Sequence, residues 1–178
     1  MKYLLDGEES ERLRFRKIEE SDFHDWLEFF RDPGAHLHWK EDRSTAEQDC
    51  RKWYDKQFWR YDIDRGGMNA LIEKASGKLV GHCGLVVQEV DDITELEVAY
   101  SLLPSYWSRG FASEAAKKCR DFAFQNELAV SLISIISITN EPSIRVAVRN
   151  GMSKEKTTGY KGNEVFIYRI GKADWALV

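Results

Sequence analysis

The segment that decides the fold is Trp107–Glu114, which reads WSRGFASE. A strand-like run ends before it at Pro104, and the helical pattern Phe111–Gln125 follows it. The first N–H groups of a helix have no acceptor within the helix and carry partial positive charge, so such a helix start attracts anionic oxygens. Gly110 lets a phosphate approach the backbone, and Arg109 adds a side-chain charge. The segment therefore predicts a phosphate-binding turn, although a plain strand–turn–helix connection would show the same pattern.

Two common nucleotide-binding motifs do not fit this turn. A P-loop needs the pattern GxxxxGK[ST], which the sequence lacks. A Rossmann fingerprint needs three spaced glycines, and this turn has Gly110 alone. If an anion binds here, it is therefore not expected to belong to a nucleotide bound by a P-loop or a Rossmann fold.

Outside the turn, the hydrophobic pattern predicts an α/β (α+β) fold of seven strands and four helices. The order is a strand, two helices, three strands, a helix, a strand, a helix and two strands. The predicted strands are Leu13–Ile18, Met68–Glu73, Leu79–Glu89, Leu96–Leu103, Val130–Thr139, Thr157–Tyr160 and Glu164–Ile170. The helices are predicted to begin at Ser21, at a capping box in Ser44–Glu47, at Phe111 and at Asn140. This order predicts a mixed sheet with helices on both faces, formed by a single domain over residues 1–178 with its core at about 13–170.

Composition narrows the class of protein. With 43% hydrophobic and 31% charged residues, the chain is expected to fold rather than to be disordered. Its apolar runs are too short to span a membrane, and the N-terminus lacks the features of a secretory signal, so the cytoplasm is the expected location. A net charge of −4 argues against a nucleic-acid surface. Cys50, Cys83 and Cys119 form no CxxC pair, so we expect small buried hydrophobic side chains and no metal site.

Three blocks of sequence, taken in order, resemble the GNAT superfamily of N-acetyltransferases, and within it the RimJ/RimL-like branch. They are Gly77–Leu85 (GKLVGHCGL), Glu97–Ala115 (EVAYSLLPSYWSRGFASEA) and Asn140–Met152 (NEPSIRVAVRNGM). The branch typically reads G-x-[IL]-[IV]-G-x-x-G-L, E-[IV]-G-Y-x-L-x-P-x-[YW]-W-G-x-G-Y-A-T-E-A and N-x-x-S-x-R-V…G-F there. The resemblance implies a GNAT-like, mostly antiparallel sheet. It also implies that acetyl is transferred from acetyl-CoA to a primary amine, either a protein N-terminus or a small amine.

The resemblance further implies which positions bind acetyl-CoA. The backbone groups of Leu102 and Leu103 would pair with the pantetheine arm like an extra strand, and Asn140 would hydrogen-bond that arm. Backbone N–H groups of the turn would hold the pyrophosphate; these are the groups of Ser108, Arg109, Gly110, Phe111, Ala112 and Ser113. No metal is implied.

The resemblance also implies direct attack by the amine in a ternary complex, without a covalent enzyme intermediate. Glu97 is the predicted base, acting directly or through water, and Glu95 on the same strand face competes for the role. Ser143 is expected near the thiol as the acid, with solvent as the alternative. The acetyl carbonyl should lie where the strand carrying Ser101–Leu103 diverges from the strand that begins near Val130, within reach of a backbone N–H.

The sequence departs from the family pattern in ways that leave a second hypothesis open. Ser108 and Ala99 each replace a glycine, and Ala147 stands where many members have a Tyr general acid. The alternative is therefore a catalytically silent acyl-CoA-binding module. The loop Ala35–Arg43, with His36 and His38, is expected to line the acceptor side. The identity of the amine and the choice between monomer and homodimer stay open.

Overall fold

A computed structural model describes residues 1–177. They form a seven-stranded sheet with the spatial order β1-β2-β3-β4-β5-β7-β6. The strands are β1 (Leu13–Arg16), β2 (Gly66–Glu73), β3 (Leu79–Val90), β4 (Ile93–Leu102), β5 (Ser131–Ser137), β6 (Ser153–Tyr160) and β7 (Asn163–Gly171). Neighbouring strands run antiparallel except β4 and β5, which are parallel. The predicted mixed, mostly antiparallel sheet is therefore confirmed.

Five α-helices accompany the sheet: α1 (Phe23–Arg31), α2 (Ala46–Asp62), α3 (Phe111–Gln125), α4 (Glu141–Arg149) and the short α5 (Lys172–Trp175). The four predicted helices are present, and two starts differ from the prediction. The first helix begins at Phe23, after a 3-10 turn at Glu20–Asp22, because the capping pair is Glu19 with Asp22. The capping box of α2 is Thr45 with Gln48, one residue later than predicted. No helix within residues 1–177 combines the length and apolar composition needed to cross a membrane.

The last hairpin also differs from the prediction. Strand β6 begins at Ser153, four residues before the predicted Thr157. Its first residues read Ser-Lys-Glu-Lys, and their exposed side chains give no hydrophobic alternation for a pattern to detect. Because β6 is the outer strand of the sheet, its charged side chains face water and protect an open edge.

The helices cover the two faces of the sheet and bury two different sets of side chains. Helices α3 and α4 pack with Leu85, Val98 and Leu132 on one face, which we call the cofactor face because it carries the predicted phosphate-binding turn. Helices α1 and α2 pack on the opposite face with Val86 and Met68, and we call it the acceptor face because the loop between them is the one expected to line the acceptor side. Since side chains alternate along a strand, neighbouring residues of β4 point to opposite faces.

The parallel strands β4 and β5 separate after a short contact. Within residues 1–177, the two strands pair at one position, where Glu97 lies opposite Ile133. In a continued parallel ladder the Ile135 N–H would donate to the Val98 carbonyl. Instead, that carbonyl accepts the Ser134 hydroxyl at 2.8 Å, and the Ile135 N–H donates to the Glu97 carboxylate at 3.4 Å. Side chains thus replace the next backbone bonds, and a gap opens between the two strands.

Candidate active site

The turn before α3 presents a run of unpaired backbone donors. Gly110 is the residue before the helix, in the left-handed conformation with φ of +82°. Ser108 has φ of +61°, the strained geometry expected for a residue in the place of a glycine. The first intrahelical bond runs from the Glu114 N–H to the Gly110 carbonyl. Before it, the six N–H groups from Ser108 to Ser113 donate to no acceptor within residues 1–177.

Two guanidinium groups lie at this turn. Arg109 is exposed and lies 5.1 Å from the ring centre of Tyr106. Arg12, from the segment before β1, donates to the Arg109 carbonyl at 3.0 Å and stacks 4.4 Å from the ring centre of Phe111. Its Nη2 lies 3.3 Å from the place that a Cβ on Gly110 would take. The turn therefore combines free backbone donors with positive charge, which is the donor set that phosphate oxygens require.

Glu114 ties the N-terminal segment to this helix start. Its Oε1 accepts from the Ser10 hydroxyl and the Arg12 N–H, both at 2.7 Å, and its Oε2 accepts from Arg12 Nε at 2.7 Å. Despite partial burial, which acts to raise it, the pKa of Glu114 is lowered by the Ser10 hydroxyl and by Arg12. The carboxylate therefore stays ionised and holds Arg12 beside the turn.

The end of β4 has backbone bonds that bear on the predicted pantetheine contact. The Leu103 N–H donates to the Val80 carbonyl at 3.0 Å, toward β3. By strand alternation, the backbone of Leu102 faces the other way, toward the gap. Its carbonyl there accepts from Trp107 Nε1 at 2.8 Å, and the Leu103 carbonyl accepts from the Tyr106 N–H. Leu102 thus lies at the gap, whereas the Leu103 N–H and carbonyl already have partners.

Glu97 lies at the start of the gap, on the acceptor face. Its side chain is 8% exposed. Oε2 accepts from Gln88 Nε2 at 2.8 Å, while Arg60 Nη2 donates to the Oε1 of the same Gln88 at 3.2 Å. Burial raises the pKa of Glu97, and the bonds from Gln88 and Ile135 oppose this rise. A carboxylate whose pKa is raised toward neutral pH suits the role of a general base.

Glu95, the competing carboxylate, has other partners. Both of its oxygens accept from Arg169, at 2.6 and 3.1 Å. Arg169 also binds Glu155 and the Ser131 hydroxyl. This paired geometry holds Glu95 as part of the contact between β4 and β7, which leaves Glu97 as the carboxylate at the gap.

The first turn of α4 lies across the gap on the cofactor face. Asn140 caps the helix, with its Oδ1 accepting from the Ser143 N–H at 3.1 Å. The Ser143 carbonyl accepts from the Tyr100 hydroxyl at 2.8 Å, which joins β4 to α4. Ala147 is 1% exposed and points into the core. Because alanine has no hydroxyl, this position offers no side-chain acid. Asn140 and Ser143 are thus on the side of the gap opposite Glu97.

The histidines have structural contacts. In the loop before α2, His36 contacts the Phe29 carbonyl at 3.2 Å and His38 contacts the Thr139 hydroxyl at 2.9 Å. The backbone of Lys40 exchanges two hydrogen bonds with the Asn163 side chain, so the loop is fastened to the turn between β6 and β7. His82 is buried against Trp26 and Trp53, and burial lowers its pKa to about 3. His82 is therefore neutral at physiological pH.

Comparison with known proteins decides the family. The family model described as "Acetyltransferase (GNAT) domain" matches residues 12–153. The chain belongs to the GNAT acetyltransferase family. A curated relative, the uncharacterized protein YkkB of Bacillus subtilis, is 29% identical over 89% of this GNAT chain and 92% of its own length.

Two solved structures share the GNAT fold. An acetyltransferase of the GNAT family from Bacillus anthracis has a TM-score of 0.76 at 24% identity, covering 96% of this chain and 99% of that one. RimL, described as a ribosomal L7/L12 α-N-protein acetyltransferase in complex with coenzyme A, has a TM-score of 0.73 at 17% identity, covering 91% and 95%. The likeness to RimL, at this level of identity, shows that the two chains share the fold.

Four side chains of the candidate site were not singled out from the sequence. Arg12 and Tyr100 lie on the cofactor face, and Arg60 and Gln88 lie on the acceptor face beside Glu97. Tyr100 falls inside the motif Glu97–Ala115, so its position carried a signal. The other three come from outside all three motifs, and no local pattern marks them.

Proposed function

We propose that this GNAT protein is an N-acetyltransferase that moves acetyl from acetyl-CoA to a primary amine by direct attack in a ternary complex. We also propose that residues 1–178 act as a single acetyltransferase domain. One observation carries the proposal. The six N–H groups at 108–113, which have no acceptor within residues 1–177, and the buried carboxylate of Glu97 lie on opposite faces of the sheet at the gap between β4 and β5. Two substrates can therefore meet at the gap from opposite sides.

The residues of the cofactor face fit coenzyme A. We propose that the N–H groups of Ser108–Ser113 hold its pyrophosphate, with Arg109 and Arg12 adding charge. The pantetheine arm would run along the gap past Leu102, toward Asn140 and Ser143. Acetyl-CoA, when bound, supplies an acetyl thioester, and the protein has to orient it and exclude water.

Proton transfer is assigned to groups on the two faces. We propose that Glu97 takes a proton from the ammonium group of the acceptor, directly or through a water molecule, so that the neutral amine attacks. A backbone N–H at the gap would stabilise the negative charge that develops on the carbonyl oxygen. The leaving thiolate would take a proton from the Ser143 hydroxyl or from solvent, since Ala147 offers none.

The test has two stages. Calorimetric titration should show that the protein binds acetyl-CoA, and no binding would overturn the proposal entirely. Thiol release is then measured with a panel of small amines and peptides that have free N-termini. Release that depends on the amine supports the enzyme. Binding without release for the whole panel would instead favour a catalytically silent acyl-CoA-binding module, which the absence of a hydroxyl at Ala147 makes the second candidate.

A further inference from the structure

An open cleft of about 440 Å³ lies beside the Gln88 that binds Glu97. It is bounded by α2, by the end of β3 and by the turn between β6 and β7. Its lining includes Arg60, Arg65, Gln88, Glu89, Asp91 and Lys161. Gln88 lines the cleft and also binds the Glu97 carboxylate. An amine that approaches Glu97 from the acceptor face therefore lies next to the cleft.

The acidic side chains of this cleft already have basic partners. Glu89 binds Arg65 at 2.9 Å and accepts the Thr94 hydroxyl at 3.0 Å. Asp91 binds Lys156 at 2.6 Å, and the Thr158 hydroxyl donates to it at 2.8 Å. Each of these two ion pairs has no net charge, so the pairs do not neutralise the other basic side chains of the cleft.

The basic side chains nearest Glu97 have no such partners. Lys56 on α2 and Lys161 in the β6–β7 turn approach each other closely, and neither forms a salt bridge within residues 1–177. Arg60 donates to the Val87 and Arg65 carbonyls and to Gln88, and to no carboxylate in the described part of the chain. Desolvation and the nearby charges of Lys161 and Arg60 together lower the pKa of Lys56 to about 8.

Like charges brought together in this way cost free energy unless an anion is bound between them. Glu97 is the buried carboxylate that faces these three groups, and the proposed reaction needs it for proton transfer. Glu41 and Asp42 are exposed and line a separate cleft on another side of Lys161. The positive charge of Lys56, Lys161 and Arg60 therefore exceeds the negative charge of Glu97, and these groups can bind one more negative group. A polyamine, with its several positive charges, would be repelled.

We propose that the acceptor carries a carboxylate close to the amine that is acetylated, and that Lys56 and Lys161 bind this carboxylate. The inference rests on the proposed function and names the substrate class of the same site. An α-amino acid derivative or a peptide with an acidic residue next to its N-terminus has this chemistry.

The test compares two peptide amides that differ at the second residue, which is aspartate in one and asparagine in the other. We expect kcat/KM from thiol release to be about tenfold higher for the aspartate peptide, corresponding to about 1.4 kcal/mol. The single variants Lys161→Gln and Lys56→Gln should each reduce the ratio of kcat/KM for the two peptides toward one. Lys78→Gln changes an exposed lysine of the β2–β3 turn and should leave the ratio as it is.

A charge reversal keeps the test independent of folding effects. Lys161 is exposed in a turn, so Lys161→Glu should fold, and it should shift the preference toward a peptide with lysine at the second position. Equal rates for the aspartate and asparagine peptides, with clear activity on both, would overturn this inference and leave the proposed function intact. No thiol release from any peptide or amine would count against the proposed function itself.

Discussion

The two faces of the sheet are built by different means. On the cofactor face, six consecutive residues present backbone N–H groups at the start of α3. On the acceptor face, Glu97 is held by Gln88, which is held in turn by Arg60, so β4, β3 and α2 each supply one side chain. A site made of backbone depends on local conformation. A site made of side chains from distant elements depends on the whole fold.

The faces also share a property that the composition hides. The chain has a net charge of −4. Even so, Arg12 and Arg109 gather at the turn, and Lys56, Lys161 and Arg60 gather near Glu97. The net charge of a protein therefore says little about the field at its site, because a few charged groups placed close to the site decide that field locally.

The sharpest test of the backbone-built face is Gly110→Glu. A side chain at φ of +82° is strained, and its carboxylate would compete with a phosphate for the N–H groups and for Arg12. We expect acetyl-CoA affinity to fall about 1,000-fold, or about 4 kcal/mol, in calorimetric titration.

Gly77→Glu is the matched control for that strain. Gly77 has φ of +70° in the β2–β3 turn, with open space where a Cβ would be, so the same strain arises away from the site. Both variants should lose similar stability in denaturant, and Gly77→Glu should bind acetyl-CoA like the original protein. Normal binding by Gly110→Glu would show that the turn does not hold the phosphates.

The difference between the two faces explains what the sequence could predict. The turn at 107–114, the succession of strands and helices along the chain and the positions of Glu97 and Asn140 follow from local patterns and from motif resemblance. Arg60 and Gln88 do not, because their roles depend on α2 packing across β3, which no spacing along the chain encodes. The early start of β6 was also missed, since its exposed Lys and Glu side chains resemble a loop.

For the acceptor face, Glu97→Gln should have the largest effect. If Glu97 is the base, we expect kcat to fall about 100-fold. The base must be ionised, so the original protein should lose activity as the pH falls through the raised pKa of Glu97, and the variant should lack this acidic limb. The pH profile of thiol release measures both.

Glu95→Gln is the control on the same strand face. It breaks the pair with Arg169 and should lower the melting temperature. Its pH profile should keep the acidic limb. If that limb disappears in Glu95→Gln and persists in Glu97→Gln, the assignment of the base is reversed.

A smaller effect is expected for Gln88→Leu, which tests whether the acceptor face depends on its supporting side chains. The Gln88 amide donates to the ionised form of Glu97 and so holds its pKa down. Without this donor the pKa should rise further, and the acidic limb should move to higher pH by about one unit, equivalent to about 1.4 kcal/mol. An acidic limb that stays in place would mean that Gln88 has no part in positioning the base.

The smallest effect is expected for Ser108→Gly, which tests whether the turn acts through its backbone alone. Ser108 has φ of +61°, and relieving a left-handed non-glycine residue gains about 1 kcal/mol, while the added freedom of the unfolded glycine costs about half of that. We therefore expect stability in denaturant to rise by about 0.5 kcal/mol, with acetyl-CoA affinity unchanged within about twofold. Ser108→Ala keeps the strain and removes the hydroxyl, so it should change neither quantity. A clear loss of affinity in both variants would mean that the Ser108 hydroxyl binds the cofactor, and the cofactor face would then depend on a side chain as the acceptor face does.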